Sequence, residues 1–476
     1  MICLGRVCDG HTTKSTEEKN VSKSRNLYLA VDVGGTKILA ALLDASGIVL
    51  RREKRATPRE GGAESLFGAL EETITELIGK TPDVAIDDLT AMGIGVPGVV
   101  DPEEGLVVVT PNMGLSNTRL GEFCEKTFGL PVAVGNDCNL GILGERWLGS
   151  ARDADSAMGI LVGTGIGGGF VQGSRVWLGA RAMASEIGHI VMQIGGPTCG
   201  CGNRGCLEAL ASRTAMERDL REAVAAGRET MLNELLDGNL DIIRSGVLRQ
   251  ALAADDALVT EVLRHASEVL GYACLTVSHL LDPEVIVLGG GVIDACSEFM
   301  VPIVQQIAAD DQLVSVRSGS RVLVSSLGDD AVLLGATAMA RMKVGENPLK
   351  KRFEEAPSYP AIVRQKSGVC EIGPKTFDVD FLVNASGKAK RLKTSPTVSD
   401  EGGVRQLTRR HLERPCRSGP HVLFIATGPS GDMTLTEDAC LYLQQRAIAW
   451  HALPLDDAIE AYNKCEQRKA ALVHLN

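Results

Sequence analysis

Three features are missing from this sequence: an excess of positive charge, a long hydrophobic run and an N-terminal secretion signal. The 60 Asp and Glu residues outnumber the 49 Lys and Arg residues, and the net charge of −11 argues against broad binding to nucleic acid or a membrane surface. No apolar run approaches the roughly 18 residues that a membrane-spanning helix needs. The apolar run within residues 1–25 is too short for a signal peptide, so we predict a disordered polar leader there.

A disulfide framework is also not indicated, although the chain has 13 cysteines. Most of them stand alone in apolar or helical segments, which is typical of reduced core thiols in a cytoplasmic protein. We therefore predict a cytoplasmic location. Only Cys199, Cys201 and Cys206 lie close together in the sequence.

Glycine is abundant, with 53 residues, and it recurs in loops between apolar strands. The segments DVGGTK (residues 32–37) and GTGIGGG (residues 163–169) each join two predicted strands, so a duplicated β-hairpin is the simplest interpretation. Consecutive amides without bulky side chains can converge on phosphate oxygens. Neither segment fits the Walker or the dinucleotide-binding pattern, because a strand and not a helix follows the glycines.

Two aspartates accompany these loops. Asp32 lies in the strand of the first loop, and a carboxylate next to polyphosphate is favourable when a cation such as Mg²⁺ lies between them. A turn-capping role is the alternative. Asp137, in the segment GNDCN, is a candidate general base for an attacking hydroxyl group. Spacing alone equally allows Asp137 to be the N-cap of the helix that follows.

A histidine and three cysteines form a possible metal site. His189, Cys199, Cys201 and Cys206 supply the four ligands that a closed, structural zinc site needs. Free thiols and a disulfide are the alternatives. A redox pair more commonly has the spacing C-x-x-C, and a disulfide fits poorly with a cytoplasmic protein.

Taken together, these motifs resemble those of the ROK family of sugar kinases and repressors, with the bacterial glucokinase branch the most similar. The resemblance spans about residues 27–343, and its motifs are, in order, DVGGTK, GVPGVVD, GNDCNLGILGERWLG, GTGIGGG, EIGH, CGCGNRGCLE and IVLGGG. It implies an α/β, actin-like fold with two lobes of ribonuclease-H type and with ATP and sugar in the cleft. No helix-turn-helix precedes this region, which argues against the repressor branch.

The resemblance also implies a role for individual residues. Asp137 would take the proton from the sugar 6-hydroxyl group, and Asp32 would help to hold Mg²⁺. The phosphates of ATP would lie against Gly34, Gly35, Thr36 and Lys37 on one side and Gly163, Thr164 and Gly165 on the other, with Gly289 and Gly290 close to the adenosine. The sugar would contact Asn112, Asn136, Asp137, Glu186, His189 and Glu208, and the zinc ligands would be the same four residues as above.

The substrate implied is a hexose, glucose being preferred over fructose, N-acetylglucosamine and N-acetylmannosamine. The segment GLSNTRL after TPNM departs from the family pattern in a loop that shapes the sugar pocket, so the exact hexose stays open. A non-catalytic sugar sensor is the alternative function. Family members commonly form homodimers or homotetramers, and we expect the same here.

The length of 476 residues predicts several domains. We predict lobes over residues 26–140 and 141–343, a linker over 344–366 and a separate small α/β domain over 367–476. The last domain resembles a small family that also includes a mitochondrial respiratory-complex assembly factor, through VLFIATG and AYNKCEQRKAAL. We predict strands at residues 377–384 and 421–428 there, and helices at 436–448 and 455–475.

Overall fold

The computed structural model describes residues 26–111, 113–313, 319–349, 359–365, 369–392, 398–399, 405–417, 419–428 and 433–475. The predicted leader at residues 1–25 and the predicted sugar ligand Asn112 lie outside this part of the chain. The described residues form three regions: two lobes that together bear the motifs, and a C-terminal region.

The first lobe is built on a five-stranded sheet with the order β3-β2-β1-β4-β8, in which β1, β4 and β8 are parallel and β1–β3 are antiparallel. Its elements are β1 (Leu27–Val33), β2 (Lys37–Asp44), β3 (Val49–Ala56), α1 (Gly62–Gly79), β4 (Leu89–Val96), β5 (Val99–Asp101), β6 (Leu106–Val109), β7 (Ser116–Thr118), α2 (Leu120–Phe128) and β8 (Val132–Asn136).

The second lobe repeats this arrangement. Its sheet has the order β11-β10-β9-β12-β13, again three antiparallel strands followed by two parallel ones. The elements are α3 (Asp137–Leu148), β9 (Ser156–Val162), β10 (Ile166–Gln172), β11 (Arg175–Val176), α4 (Leu207–Ala211), α5 (Arg213–Ala225), α6 (Leu232–Leu235), α7 (Ser245–Ala253), α8 (Ala257–Leu281), β12 (Val285–Gly289), α9 (Gly291–Ala309), β13 (Arg321–Val324) and α10 (Ala331–Lys343). The predicted duplication is therefore present in the strand order.

Alternation along the strands explains how each sheet is covered on both faces. In β1, Leu29 and Val31 pack with α1 and α2, whereas Ala30 faces the opposite core, which also holds residues of α3 and α10. Small residues allow the helices to approach closely: a Cβ on Gly93 of β4 would lie 2.0 Å from the carbonyl oxygen of Ala336 in α10. Burial of these apolar faces drives the assembly of each lobe.

Helix α10 lies within residues 141–343, which were predicted to form the second lobe, but it packs on the first lobe. Although α10 follows the second sheet in the chain, it packs on β1, β4 and β8 of the first lobe and on α3. Glycine permits this crossing, since a Cβ on Gly335 would lie 1.8 Å from the carbonyl oxygen of Leu140. The chain thus returns to the first lobe before the C-terminal region begins.

The C-terminal region has a mixed five-stranded sheet of its own, ordered β18-β17-β24-β21-β23, with two three-stranded sheets beside it. Its elements are β14 (Ile362–Arg364), β15 (Cys370–Ile372), β16 (Lys375–Phe377), β17 (Phe381–Val383), β18 (Ala389–Arg391), β19 (Val398–Ser399), β20 (Arg405–Leu407), α11 (Arg409–Leu412), β21 (Val422–Thr427), β22 (Met433–Leu435), α12 (Glu437–Gln445), β23 (Ala449–Leu453), α13 (Leu455–Lys464) and β24 (Lys469–His474).

Two predictions for this region are wrong in part. The expected linker at 344–366 contains β14, which pairs with β15 and buries Ile362; residues 350–358 and 366 of that linker lie outside the described residues. The helix expected at 455–475 ends at Lys464, and β24 follows in the middle of the sheet. A short apolar run such as that of β24 is compatible with a helix or a strand, and only its pairing with β17 and β21 makes it a strand.

Helix α9 is long and apolar enough to cross a membrane by length and composition alone. One such helix is a weak indication, because the core helix of a soluble protein passes the same test. In this structure, Val292, Met300 and Val304 of α9 pack in the core of the second lobe, which accounts for its apolar composition.

Candidate functional site

The first glycine loop is the tight turn between β1 and β2. The N–H of Gly34 donates to the carbonyl oxygen of Lys37 at 2.8 Å, and the hydroxyl of Thr57 donates to the carbonyl oxygen of Gly34 at 2.6 Å. Gly35 and Thr36 at the tip are exposed, and a Cβ on Gly35 would meet no atom within 4 Å. The loop is held at its base and open at its tip, where a ligand can reach the backbone.

The second glycine loop, between β9 and β10, is stabilised by side chains of helix α5, which lies outside the hairpin. Its Gly163 N–H donates to the carbonyl oxygen of Gly165 at 2.9 Å. The start of α5 supports it, because the Arg213 guanidinium donates to the hydroxyl of Thr164 at 2.7 Å and the Thr214 hydroxyl donates to the carbonyl oxygen of Thr164 at 2.8 Å. Arg213 and Thr214 were not predicted from the sequence, because no motif marks contacts over some fifty residues.

The third loop joins β12 to α9. A left-handed φ of 88° at Gly290 places a hypothetical Cβ only 2.5 Å from the carbonyl oxygen of Val162, so no other residue fits there without strain. Gly289 and Gly290 thereby lie against the end of β9, beside the second loop. Gly290 and Asp32 line one cavity of about 200 Å³, which connects the third loop with the first lobe.

Asp137 is the first residue of α3, and the N-cap is its neighbour Asn136. The Asn136 side chain accepts from the N–H of Asn139 at 3.0 Å and donates to the carbonyl oxygen of Gly98 at 3.0 Å. The capping alternative for Asp137 is therefore wrong. The Asp137 carboxylate accepts from the N–H of Cys138 at 2.8 Å, and burial nevertheless raises its pKa above the ordinary value.

Two carboxylates from separate segments, Asp32 and Glu186, lie close enough to Asp137 to interact with its charge. Burial raises the pKa of Asp32 to about 6, and the negative charges of Asp137 and Asp329 contribute to this shift. The positive charge of Lys37 acts in the opposite direction. Burial also raises the pKa of Glu186, with contributions from Glu208 and Asp137. Close like charges of this kind are costly unless a cation or polar ligand joins them, and they are typical of functional sites.

Glu208 links the second loop to the cysteine segment. One carboxylate oxygen accepts from the N–H of Ile166 at 2.8 Å, and the other lies 3.6 Å from Sγ of Cys199. A Cβ on Gly165 would lie 2.3 Å from that first oxygen, so glycine is needed for this approach. Glu186 and His189 lie in one short 3-10 turn, with the His189 N–H donating to the carbonyl oxygen of Glu186 at 3.0 Å.

The four predicted metal ligands meet at one point. The ligand atoms of His189, Cys199, Cys201 and Cys206 all lie within 4.8 Å of one another. Cys201 Sγ is 3.8 Å from Cys206 Sγ, and Cys199 Sγ is 3.6 Å from Nδ1 of His189. Tetrahedral zinc with bonds of about 2.3 Å to sulfur requires sulfur–sulfur separations of about 3.8 Å, so these residues fit such an ion.

These features define a class of protein: two lobes of ribonuclease-H type in an actin-like fold, with a glycine-rich hairpin in the sheet of each lobe. The family model described as "ROK family" matches residues 28–343, and the chain belongs to this family. The glucokinase of Halalkalibacterium halodurans is 35% identical over 334 residues, which are 69% of this chain and 98% of that protein.

Solved structures and regulators of the family are also similar. A ROK family glucokinase from Streptomyces griseus in complex with glucose and AMPPNP is 32% identical, with a TM-score of 0.59 over 67% of this chain and 100% of that one. A putative xylose repressor from Caldicellulosiruptor sp. is 29% identical over 67% of this chain and 79% of the repressor. The similarity to kinases and repressors together supports a sugar-kinase fold without selecting the sugar.

Proposed function

We propose that this protein transfers the γ-phosphoryl group of ATP to the 6-hydroxyl group of a hexose, with glucose as the preferred substrate. The observation that carries the proposal is the convergence of Asp137 with Asp32 and Glu186. A carboxylate suited to take a proton lies between a loop suited to phosphate and a segment suited to sugar hydroxyl groups. The glucokinases among the relatives support the choice of glucose.

In this proposal the two hairpins bind the triphosphate from opposite sides. Gly34, Gly35, Thr36 and Lys37 offer amides and one positive charge, and Gly163, Thr164 and Gly165 offer amides from the second lobe. Phosphoryl transfer depends on such positioning and charge neutralisation more than on covalent chemistry by the protein. Asp32 would hold Mg²⁺, which supplies neutralisation of phosphate charge, and Gly289 and Gly290 would pass beside the adenosine.

Asp137 accepts the proton of the 6-hydroxyl group as that oxygen attacks. Burial favours the protonated form of Asp137 and so makes its carboxylate a stronger base. Glu186, Glu208 and the Nε2 atom of His189 would bind the other hydroxyl groups, with Asn112 and Asn136 as further contacts. Closure of the lobes would exclude water, which would otherwise accept the phosphoryl group.

His189, Cys199, Cys201 and Cys206 would hold a structural zinc ion, which supplies a rigid anchor for this segment. Because Nδ1 is the ring nitrogen that faces the thiols, Nε2 is left as a donor of fixed orientation. A cytoplasmic location and a homodimeric or homotetrameric state, expected from the sequence, remain predictions.

A coupled assay of the full chain with Mg·ATP and a panel of hexoses tests the proposal. We expect the highest kcat/KM with glucose, and lower values with fructose, N-acetylglucosamine and N-acetylmannosamine. A higher value with another hexose would transfer the assignment to that sugar. If no hexose in the panel stimulates ATP turnover, the non-catalytic sugar sensor is favoured. The similarity to repressors makes that role the second candidate.

A further inference from the structure

A second cavity, of about 770 Å³, lies where the C-terminal region meets both lobes. Its walls come from β3 of the first lobe, from α9 and the loop before α10, and from the β17–β18 hairpin, α11 and α12. Its volume lies in the range of roughly 300–1,000 Å³ that small-molecule sites occupy. The family model ends at residue 343, so the C-terminal walls have no counterpart in the ROK region.

The contacts around this cavity hold the C-terminal region against the ROK region. Arg409 forms an ion pair of 2.6 Å with Glu298 of α9 and donates to the carbonyl oxygen of Asp294 at 3.1 Å. The Ser150 hydroxyl donates to the carbonyl oxygen of Arg446 at 3.3 Å, and Arg152 donates to that of Ala447 at 2.7 Å. The cavity is thus a space between regions that are tied together on several sides.

The walls carry an excess of positive charge, with eight basic and four acidic side chains. Some of the basic groups are neutralised, such as Arg52 by Asp330 at 2.6 Å. In contrast, Arg51, Lys388 and Lys390 form no ion pair within the part of the chain that the structure describes, although all three line the cavity. An anion that entered this space would find unpaired cations from two regions of the protein.

The neighbouring cations disfavour the charged form of Lys388. Partial removal of water by the surrounding protein lowers the pKa of Lys388. The positive charges of Arg52, Lys390 and Arg51 lower it further. Lys388 and Lys390 are exposed, and together with Arg51 they line the same concave space. Asp330 offsets this repulsion in part, and an anion that binds between the cations relieves it further.

We propose that this cavity binds a phosphorylated small molecule, with its phosphate group between Arg51, Lys388 and Lys390. Phosphate accepts charge-assisted hydrogen bonds from arginine and lysine, and its double negative charge matches a cluster of cations. The volume left beyond the phosphate accommodates a sugar or a nucleoside. The site adjoins the cavity lined by Asp32 and Gly290, with which it shares Asp294 and Asp329, but Arg51, Lys388 and Lys390 line only the second cavity. The proposal does not depend on sugar phosphorylation.

Calorimetric titration of the full chain tests this site. The protein is first saturated with glucose and AMPPNP, so that the cleft between the glycine loops is occupied, and is then titrated separately with glucose 6-phosphate, adenosine 5′-monophosphate and inorganic phosphate. The variants are the double substitution Lys388→Ala with Lys390→Ala and, as a matched control, Lys126→Ala with Lys464→Ala. The control removes two exposed lysines outside the cavity.

We expect glucose 6-phosphate or adenosine 5′-monophosphate to bind the wild-type chain and the control alike, and the Lys388/Lys390 variant to bind at least about tenfold more weakly. Equal affinity for inorganic phosphate would overturn the proposal of a phosphorylated small molecule, because the phosphate group alone would then account for binding. Absence of binding by all three probes, or binding that the Lys388/Lys390 substitutions leave unchanged, would overturn the proposal. Neither result depends on whether the protein phosphorylates a hexose, so the two proposals fail separately.

Discussion

Asp137 is the residue on which the proposed chemistry depends. Asp137→Asn keeps the size of the side chain but removes the proton acceptor, so we expect kcat to fall by at least about 10²-fold with the fold intact. The measurement is the coupled glucose assay together with thermal denaturation. Asp83→Asn, at an exposed position away from the cleft, is the control and should keep full activity. Near-normal turnover by Asp137→Asn would exclude Asp137 as the base.

The pH dependence of the reaction follows from the same residue. Burial raises the pKa of Asp137, and only the ionised carboxylate accepts a proton. Activity should therefore fall as the pH decreases through this raised pKa, at a higher pH than the value near 4 of an ordinary aspartate would allow. The acidic limb of kcat/KM against pH measures it, and a limb at or below pH 4 would contradict the prediction.

Cys201 tests the metal site, because it is the exposed member of the four candidate ligands. Cys201→Ser should lose the bound zinc and weaken glucose binding together, since Glu186 and His189 lie in the segment that the metal would anchor. Metal analysis and the KM for glucose report the two effects. Cys440→Ser, a half-buried cysteine of the C-terminal region, is the control. Full zinc content in Cys201→Ser would refute the assignment.

At the scale of elements, helix α5 positions the second glycine loop. Arg213 donates to Thr164 and is held by an ion pair with Glu217 at 2.5 Å. Arg213→Ala should raise the KM for ATP by about fivefold, the equivalent of one hydrogen bond of about 1 kcal/mol, and should change the KM for glucose less. Arg221→Ala, two turns further along α5, provides the comparison. An equal effect in both variants would indicate general loosening of the helix instead.

The glycine loops show how far element-level prediction reaches. The pattern of strand, small residues and strand predicts both hairpins, because it depends on local sequence. The cap of α3 is different: Asn136 and Asp137 are equally good caps by type, and the chain direction at the end of β8 decides between them. Likewise β24 is a strand because β17 and β21 flank it, a condition that neighbouring residues do not encode.

For the whole molecule, the C-terminal region is expected to be separable from catalysis. Deletion of residues 350–476 should leave sugar phosphorylation measurable, because the family model ends at residue 343 and 69% of this chain matches 98% of a glucokinase relative. The midpoint of thermal unfolding should fall by several degrees, since the contacts of Ser150 and Arg152 with Arg446 and Ala447 are lost. A folded truncated protein without activity would show that the C-terminal region takes part in catalysis.

The sequence by itself determined the family, the two duplicated hairpins and the set of four candidate metal ligands, because each depends on residue types at short spacings. Tertiary structure alone decided that α10 returns to the first lobe, that Arg213 supports the second loop, and that cations of β3 and the β17–β18 hairpin face one cavity. These contacts join residues tens to hundreds of positions apart, so they arise from how apolar faces pack and charges are brought together, which no local pattern records.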